Sequence, residues 1–577
     1  MGIGNPRGRK AFTHAEAIEL QSAPSCYTGF RGRVANFSLD MSHSPTRKWW
    51  QDAVFYQIYP LSFADSDGDG FGDLEGIISR LDYLTDTLGV DAIWLSPFFK
   101  SPMADWGYDV SDHTDVDPLF GDLATAKRMI DEIHRRGMRV IIDYLMNHTS
   151  IEHQWFSESR SSRDNPKRDW YVWRDPKPDG SEPNNWLSVF GGPAWTLDKE
   201  TGQYYRHTFL PHQPDLNWRN PEVREAMFDV ARFWLDLGVD GFRVDAAHQM
   251  MKDPRERDNP PAPEEHTRPW KDMGDYDRYI HLYDSAHPDV HEAHREFRAV
   301  LDSYPHDPVS VGEIHIFDLP EWAAYYGEHL DQIHMPFNFH LMVAPWEASS
   351  IRAVIETVLW HVPEGGWANW LLGNHDEIRM MTRLGVLNAR LAAMLLLTLR
   401  GTPFLYYGDE LGMPQAEIGS GEGRDPWGEN VSYLSRDGCR TPMQWDDTPM
   451  AGFSADGSWL PIGPDHVNLN VMAETAHEGS MLALYQRLLA YRRSSPVLKE
   501  GKYLTHTAST GDVFVFERFT DDDRIIVALN LSDQVQLLDL VEGSIVMSTH
   551  SAMGREIGSE GVFLGRREGV IIEVSVP

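Results

Sequence analysis

The chain has little cysteine: Cys26 and Cys439 are all that its 577 residues contain. That is too few for a disulfide framework, and no C-x-x-C or Cys/His cluster offers a zinc site. Long apolar runs are missing as well. The longest, Leu391 to Leu399 with Thr398 inside it, falls far short of the roughly 20 residues that cross a bilayer, so no membrane span is expected. Basic charge is scarce: 52 Lys and Arg stand against 87 Asp and Glu, a net −35. Such a balance argues against a phosphate-backbone partner, and hence against nucleic acid. The first 40 residues carry Arg7, Arg9 and Lys10 but no apolar stretch long enough for the core of a secretory signal. These absences point to a cytoplasmic protein, monomer or homodimer, that faces neutral small molecules.

From Trp50 onward short apolar segments alternate with amphipathic ones. AVFYQIYP, DAIWLSP, RVIIDYLMNH, VDGFRVD, VSVGEIH, DQIHMPF, NWLLGNHD and TPFLYYGDE each suit a buried strand ending in polar residues, eight in all. Helical stretches fall between them, such as Leu74 to Leu88, Ala124 to Arg136, Pro221 to Leu237 and Arg383 to Leu399. Parallel strands joined by crossover helices follow, and their natural closure is an α/β fold, a (β/α)8 TIM barrel over residues 49–148 and 221–490. Two connections are too long to be turns. Residues 149–220, rich in Trp, Pro, Asn and Gly, read as a small subdomain inserted after strand 3 over the barrel mouth. The stretch from Lys252 to about Tyr283, crowded with Pro and charge, reads either as a lid or as a solvated surface loop. Residues 491–577 change to short alternating segments (KYLTHTA, VFVFERF, RIIVALNLS, GVIIEVSV) broken by Gly and Asp, which predicts a C-terminal antiparallel β-sandwich domain. Residues 1–48, with Met41 near their end, read as an N-terminal extension, either disordered or an ordered arm.

Three apolar runs stop at a carboxylate: GFRVD at Asp245, VSVGEI at Glu313 and NWLLGNHD at Asp376. In a barrel of this kind the active site is built at the C-terminal strand ends, where all three fall. Acetal cleavage with retention needs one carboxylate as nucleophile and one carboxylic acid as proton donor, about 5 to 5.5 Å apart. Arg243 precedes Asp245 by two residues and so projects to the same side of the strand, where its guanidinium can keep that carboxylate ionised. A proton donor needs the opposite treatment, a pKa raised by burial or neighbouring negative charge. Asp245 and Asp376 can supply that push to Glu313.

DYLMNHT (Asp143 to Thr149), GFRVD, VGEIH and GNHDE together resemble, in order and spacing, the four signature regions of the α-amylase family of glycoside hydrolases. The resemblance runs from about Trp50 to the C-terminus and implies Asp245 as nucleophile, Glu313 as acid and base, and Asp376 as the stabilising carboxylate. It also implies that His148 and His375 hydrogen-bond sugar hydroxyls, that Asp109 in WGYDV binds a hydroxyl of the terminal sugar, and that Tyr108 gives its ring a stacking face, core packing being the alternative for Tyr108. RDGCRTPMQW resembles a segment of exo-acting α-glucosidases, implying that Arg440 closes the pocket with Asp109. QPDLN at Gln213 to Asn217 resembles the oligo-1,6-glucosidase branch. Ala246, a small residue beside the nucleophile, is associated in that branch with α-1,4 linkages, and a Val there with α-1,6; AAHQM at Ala246 to Met250 departs from the commonest versions. The reaction implied is release of glucose from short α-glucosides, maltose-like or sucrose, with some transfer to other acceptors. Glucosyl transfer or isomerisation of sucrose or trehalose is the alternative within that chemistry, and a non-catalytic binding protein the alternative outside it.

DSDGDGFGD spaces Asp65, Asp67, Asp69, the Phe71 carbonyl and Asp73 as positions 1, 3, 5, 7 and 9 of a calcium loop, with Gly70 at the sharp turn. Position 12 is Gly76 where a bidentate Glu would stand. A structural Ca²⁺ or Mg²⁺, or a metal-free Asp/Gly turn, is expected there. No organic cofactor is expected.

Overall fold

The computed structural model describes residues 47–577 apart from 264–267, 269–270, 541–542, 551–554, 558–559 and 575–577. The expected N-terminal extension therefore lies outside the described residues but for its last two.

The eight expected strands form one parallel sheet: β1 (Phe55–Ile58), β2 (Ala92–Leu95), β3 (Arg139–Leu145), β4 (Gly241–Asp245), β5 (Val309–Gly312), β6 (Met335–Pro336), β7 (Asn369–Leu371) and β8 (Thr402–Tyr406). The hydrogen-bonded order is β6-β5-β4-β3-β2-β1-β8-β7. No ladder joins β6 to β7 among the described pairs. A side chain bridges the seam instead: Asn369 Nδ2 donates to the Pro336 carbonyl at 2.6 Å, and Asn369 Oδ1 accepts from Asn338 N–H at 3.3 Å. The closed barrel is thus completed at its shortest strand by an amide that mimics a peptide.

Residue alternation then sets the interior. Phe55, Trp94, Ile141, Val309, Val311, Leu371 and Phe404 pack with one another inside, whereas Tyr56, Ile93, Val140, Ile142, Phe242 and Val244 belong to the cluster that takes in the surrounding helices. Continuing the inner rows by two residues reaches Gln57, Ser96, Asp143 and Glu313, and on β4 the row Gly241, Arg243, Asp245 runs to the same end. The same row that is apolar at the bottom of the barrel is polar at its C-terminal mouth, so the floor of the site is dictated by strand periodicity. β4 begins at Gly241 with φ +144°, and a Cβ there would meet the Val309 carbonyl oxygen at 2.1 Å. Only glycine lets β4 lie this close to β5. The preceding helix, Pro221–Leu237, starts on proline, is capped by the Asn220 side chain, and stops at Gly238 in the left-handed region.

The expected helix from Leu74 divides into Leu74–Ser79 and Tyr83–Leu88, and the one from Arg383 into Met380–Leu384 and Val386–Thr398. The second break falls at Gly385, whose φ of +75° no helix accommodates. Between β3 and the Pro221 helix, Trp173–Arg174, Trp195–Asp198 and Gln203–Arg206 form a small antiparallel sheet. The C-terminal antiparallel sheet starts at Lys502, the first residue of the expected KYLTHTA segment, and Met481–Ser494 and Pro496–Glu500 before it are helical. The sheet's six strands pair from Lys502–Thr505 to Gly569–Val574.

Candidate active site

A single guanidinium organises the barrel mouth. Arg243 on β4 donates from Nη1 to Asp245 Oδ1 at 2.8 Å and to Asp143 Oδ2 at 3.1 Å, and its Nη2 is ion-paired with Glu313 Oε2 at 3.0 Å. The register explains the convergence: Arg243 pairs with Asp143 of β3 and with Val311 of β5, so Asp245 and Glu313 emerge side by side from neighbouring strands. The Arg243 guanidinium lies over the Trp94 ring at 5.2 Å, and Trp94 Nε1 donates to Asp143 Oδ1 at 2.5 Å. Glu313 Oε2 also accepts from Ala246 N–H at 2.8 Å, and Glu313 Oε1 meets His315 Nε2 at 2.9 Å. That Ala246 N–H points at Glu313 depends on Ala246 adopting φ +43°, a conformation sparsely populated by non-glycine residues.

Asp376, beyond β7, completes the group. Its Oδ1 accepts from Arg440 Nη2 at 2.9 Å and Arg436 Nη1 at 3.3 Å, and its Oδ2 lies 3.3 Å from His375 Nε2. Asp245, Glu313 and Asp376 line one cavity, together with Asp105, Tyr108, His148, Gln213, His315, His375 and Arg436. Phe190, Phe209, Met273, Tyr276 and Trp427 add apolar surface to its walls.

Residues 57–501 match the family described as "Alpha amylase, catalytic domain". The chain belongs to the alpha-amylase family. It is 44% identical over 511 residues to a probable alpha-glucosidase of Rhizobium meliloti (strain 1021), covering 86% of this chain and 92% of that protein. It is 38% identical over 531 residues to an oligo-1,6-glucosidase of Parageobacillus thermoglucosidasius, with 86% and 92% covered. Among solved structures, the alpha-glucosyl transfer enzyme XgtA superposes with a TM-score of 0.85 at 42% identity, covering 92% of this chain and 100% of that one. The trehalulose synthase MutB does so with 0.82 at 34%, over the same shares. This family member is accordingly an enzyme of the glycoside hydrolase class.

Six of the expected residues line the cavity: Asp245, Glu313, Asp376, Tyr108, His148 and His375. Tyr108 stacks on His375 with ring centroids 5.3 Å apart and planes within 5°, and its hydroxyl donates to Asp143 at 2.7 Å. The imidazoles of His148 and His375 are already engaged by protein. His148 Nε2 lies 2.9 Å from the Tyr108 carbonyl, and His375 meets Gln57 at Nδ1 and Tyr108 at Nε2. Burial lowers their pKa values to about 4 and about 3, so both are neutral. Arg243 lies beneath the cavity floor and orders the carboxylates from there.

Two expected residues are displaced from the cavity. Asp109 is fully buried, with its carboxylate accepting from Ala104 N–H, Asp105 N–H and the Ser101 hydroxyl. Those three donors fold the loop after β2, and burial raises the Asp109 pKa to about 6. Arg440 is equally buried, donating to the His375 carbonyl at 2.8 Å and to Asp376 from behind. The ion pair at the cavity wall is instead Asp105 with Arg436, 2.8 Å from Oδ1 to Nη2, with Asp425 as a second partner of Arg436 at 2.7 Å. Each stands four residues before the residue first singled out. The long loop from Lys252 delivers Met273, Tyr276 and His281 to the cavity wall, which favours the lid reading over the solvated loop. Gln213 of QPDLN also lines the wall, and its neighbour Asp215 ties the inserted segment to the barrel through Lys252 at 2.8 Å and Asn147 at 3.1 Å.

Burial and neighbouring charge act differently on the three carboxylates. Burial lifts Asp245 well above the carboxylate range; Arg243 opposes this, and Glu313, Asp143 and Asp376 add to it. For Glu313, burial pushes up, but Arg243 and His315 outweigh it and hold the group below its ordinary value. Arg243, Ala246 N–H and His315 thus surround the Glu313 carboxylate, while Arg243 alone is hydrogen-bonded to Asp245 among the described residues. The guanidinium groups of Arg436 and Arg440 hold Asp376 low against its burial.

Asp65, Asp67 and Asp73 bring carboxylate oxygens within 4.8 Å of one another; Asp69 is outside that group. Asp65 accepts from Gly68 and Gly70 N–H at 2.7 and 2.8 Å, and Asp73 caps the Leu74 helix through Gly76 N–H at 2.6 Å.

Proposed function

We propose that the chain is a retaining, exo-acting α-glucosidase that releases glucose from the non-reducing ends of short α-glucosides. Maltose-like α-1,4 linkages are favoured, sucrose is accepted, and part of the glucose passes to acceptors other than water. The carrying observation is the cavity that holds Asp245, Glu313 and Asp376 together with the Asp105–Arg436 ion pair on its wall. A charged, doubly anchored pair of this kind suits hydrogen bonding to the hydroxyls of a terminal sugar. One guanidinium in contact with both Asp245 and Glu313 supports the reading of the two as the paired carboxylates of double displacement.

In this reading Glu313 carries the proton that the two carboxylates share, which leaves Asp245 anionic when the glucoside seats. Asp245, now anionic, forms a bond to the anomeric carbon while Glu313 gives its proton to the departing oxygen. Glu313, left as carboxylate, then takes a proton from water, whose oxygen displaces Asp245. Asp376, held ionised by Arg436 and Arg440, stabilises the positive charge that develops on the sugar ring. The names of the relatives, alpha-glucosidase and oligo-1,6-glucosidase, support this reading. The likeness to XgtA and MutB supports the second, glucosyl transfer or isomerisation, which differs only in what attacks the Asp245 ester. Initial rates and products on maltose, sucrose, isomaltose, nigerose and trehalose separate the two: glucose as main product from maltose is expected, and mostly disaccharide product would overturn hydrolysis.

We further propose that the loop of Asp65, Asp67, Asp69, Phe71 and Asp73 holds a structural Ca²⁺ or Mg²⁺, supported by the convergence of three carboxylates on a turn whose backbone N–H groups already fix their orientation. The low cysteine content supports a reducing, cytoplasmic setting.

A further inference from the structure

The two oxygens of Glu313 are not equivalent. Oε2 accepts from Ala246 N–H at 2.8 Å and is ion-paired with Arg243 Nη2 at 3.0 Å. An oxygen held by a fixed backbone donor and a guanidinium cation is a poor place for a proton, which would meet a second hydrogen and a positive charge there. Oε1 has a different partner, His315 Nε2 at 2.9 Å. Imidazole can accept as readily as it donates, so only Oε1 can bear the carboxyl proton. His315 lines the cavity, two residues beyond Glu313 in the same VGEIH segment, and its ring lies flat on Phe339 with centroids 4.3 Å apart and planes within 10°. That stack fixes the direction from which Nε2 meets Oε1.

We infer that His315 is a positioning residue that keeps the acid proton of Glu313 on Oε1, aimed into the cavity. The inference rests on the α-glucosidase reading above. With the imidazole accepting at Nε2, the Oε1–H waits as a donor to His315. When the glucoside seats, that O–H turns to the glycosidic oxygen, the O–H bond breaks as the bond from the anomeric carbon to oxygen breaks, and Asp245 bonds to the anomeric carbon. In the second half Oε1 takes the proton from water and returns to His315. No oxidant or further reactant is needed.

A role confined to the acid has a signature that a structural role lacks. Cleaving maltose expels a poor leaving group that needs protonation, whereas a 4-nitrophenyl α-glucoside expels an activated phenolate that needs little help. In His315→Phe, which keeps an aromatic ring against Phe339 but loses Nε2, kcat/KM for maltose should fall about 100-fold, the lower end of what general acid catalysis contributes. For the 4-nitrophenyl glucoside it should fall less than about 5-fold. His315→Gln, which restores a polar group able to meet Oε1, should recover part of the loss on maltose. Equal losses on the two substrates, or no loss on maltose, would overturn the role of His315 while leaving the glucosidase reading intact. A wild-type enzyme that frees glucose from neither substrate would overturn both.

Discussion

Arg436 donates to Asp105 at 2.8 Å across 331 residues of chain, joining the loop after β8 to the loop after β2. Both side chains are buried, and Arg436 keeps Asp425 as a second partner. Removing the Asp105 charge therefore leaves the guanidinium satisfied, and its main effect should fall on binding. In Asp105→Asn we expect kcat/KM on maltose to drop about 100- to 1000-fold, equivalent to about 3 to 4 kcal/mol, chiefly through KM. The melting temperature should change by only a few degrees. A variant with unaltered kcat/KM would remove the pair from sugar recognition.

Asp245 tests the covalent route. Asp245→Asn preserves shape and the contact with Arg243 but cannot form an ester. Turnover should fall at least about 10⁴-fold, the scale seen when a nucleophile is removed, with the circular dichroism spectrum and the melting transition retained. Because burial charges a cost to an ionised Asp245, the neutral amide should also melt no lower than the wild type. Near-normal turnover would overturn the assignment.

The legible and illegible parts of this site divide along a physical line. Asp245, Arg243 and Glu313 could be read from the sequence because a strand has a period of two, so an apolar run that stops at a carboxylate already states which side and which end of the barrel that carboxylate occupies. The choice between Asp105 and Asp109, or between Arg436 and Arg440, could not be read that way. Each pair lies in a loop, separated by four residues, and which member turns inward is settled by contacts such as Ser101 with Asp109 and His375 with Arg440 that arise only in the folded chain. The surroundings of Glu313 have the same origin: Arg243 of β4, Ala246 N–H and His315 meet at its carboxylate, a convergence visible only in three dimensions. The barrel seam at Asn369 was likewise outside the reach of local pattern.

For the Asp65 loop, cation removal is the test. Three carboxylates converging without a cation repel one another, so a bound ion stabilises the folded state by about 2.7 kcal/mol at a concentration 100 times its dissociation constant. Treatment with a chelator should lower the melting temperature, and Ca²⁺ or Mg²⁺ should restore it. Activity measured below the transition should fall much less, since the loop contributes no side chain to the cavity. Melting that ignores chelator and added cation alike would end the proposal.

Glu410 offers a pH test away from the chemistry. It is fully buried beyond β8, accepts from the Tyr56 and Tyr83 hydroxyls at 2.7 and 2.8 Å, and burial raises its pKa from 4.5 to about 7. A raised carboxylate pKa means that the folded chain binds this proton more tightly than the unfolded chain does. The resulting stability is complete below pH 4.5 and is lost as pH rises through 7, a change on the order of 3 kcal/mol for this group alone. Glu410→Gln is isosteric and cannot ionise. Its stability should therefore fall less than that of the wild type between pH 5 and 8, with the two denaturation midpoints converging or crossing as pH rises. Parallel curves for the two proteins across that window would show that Glu410 does not change its charge there.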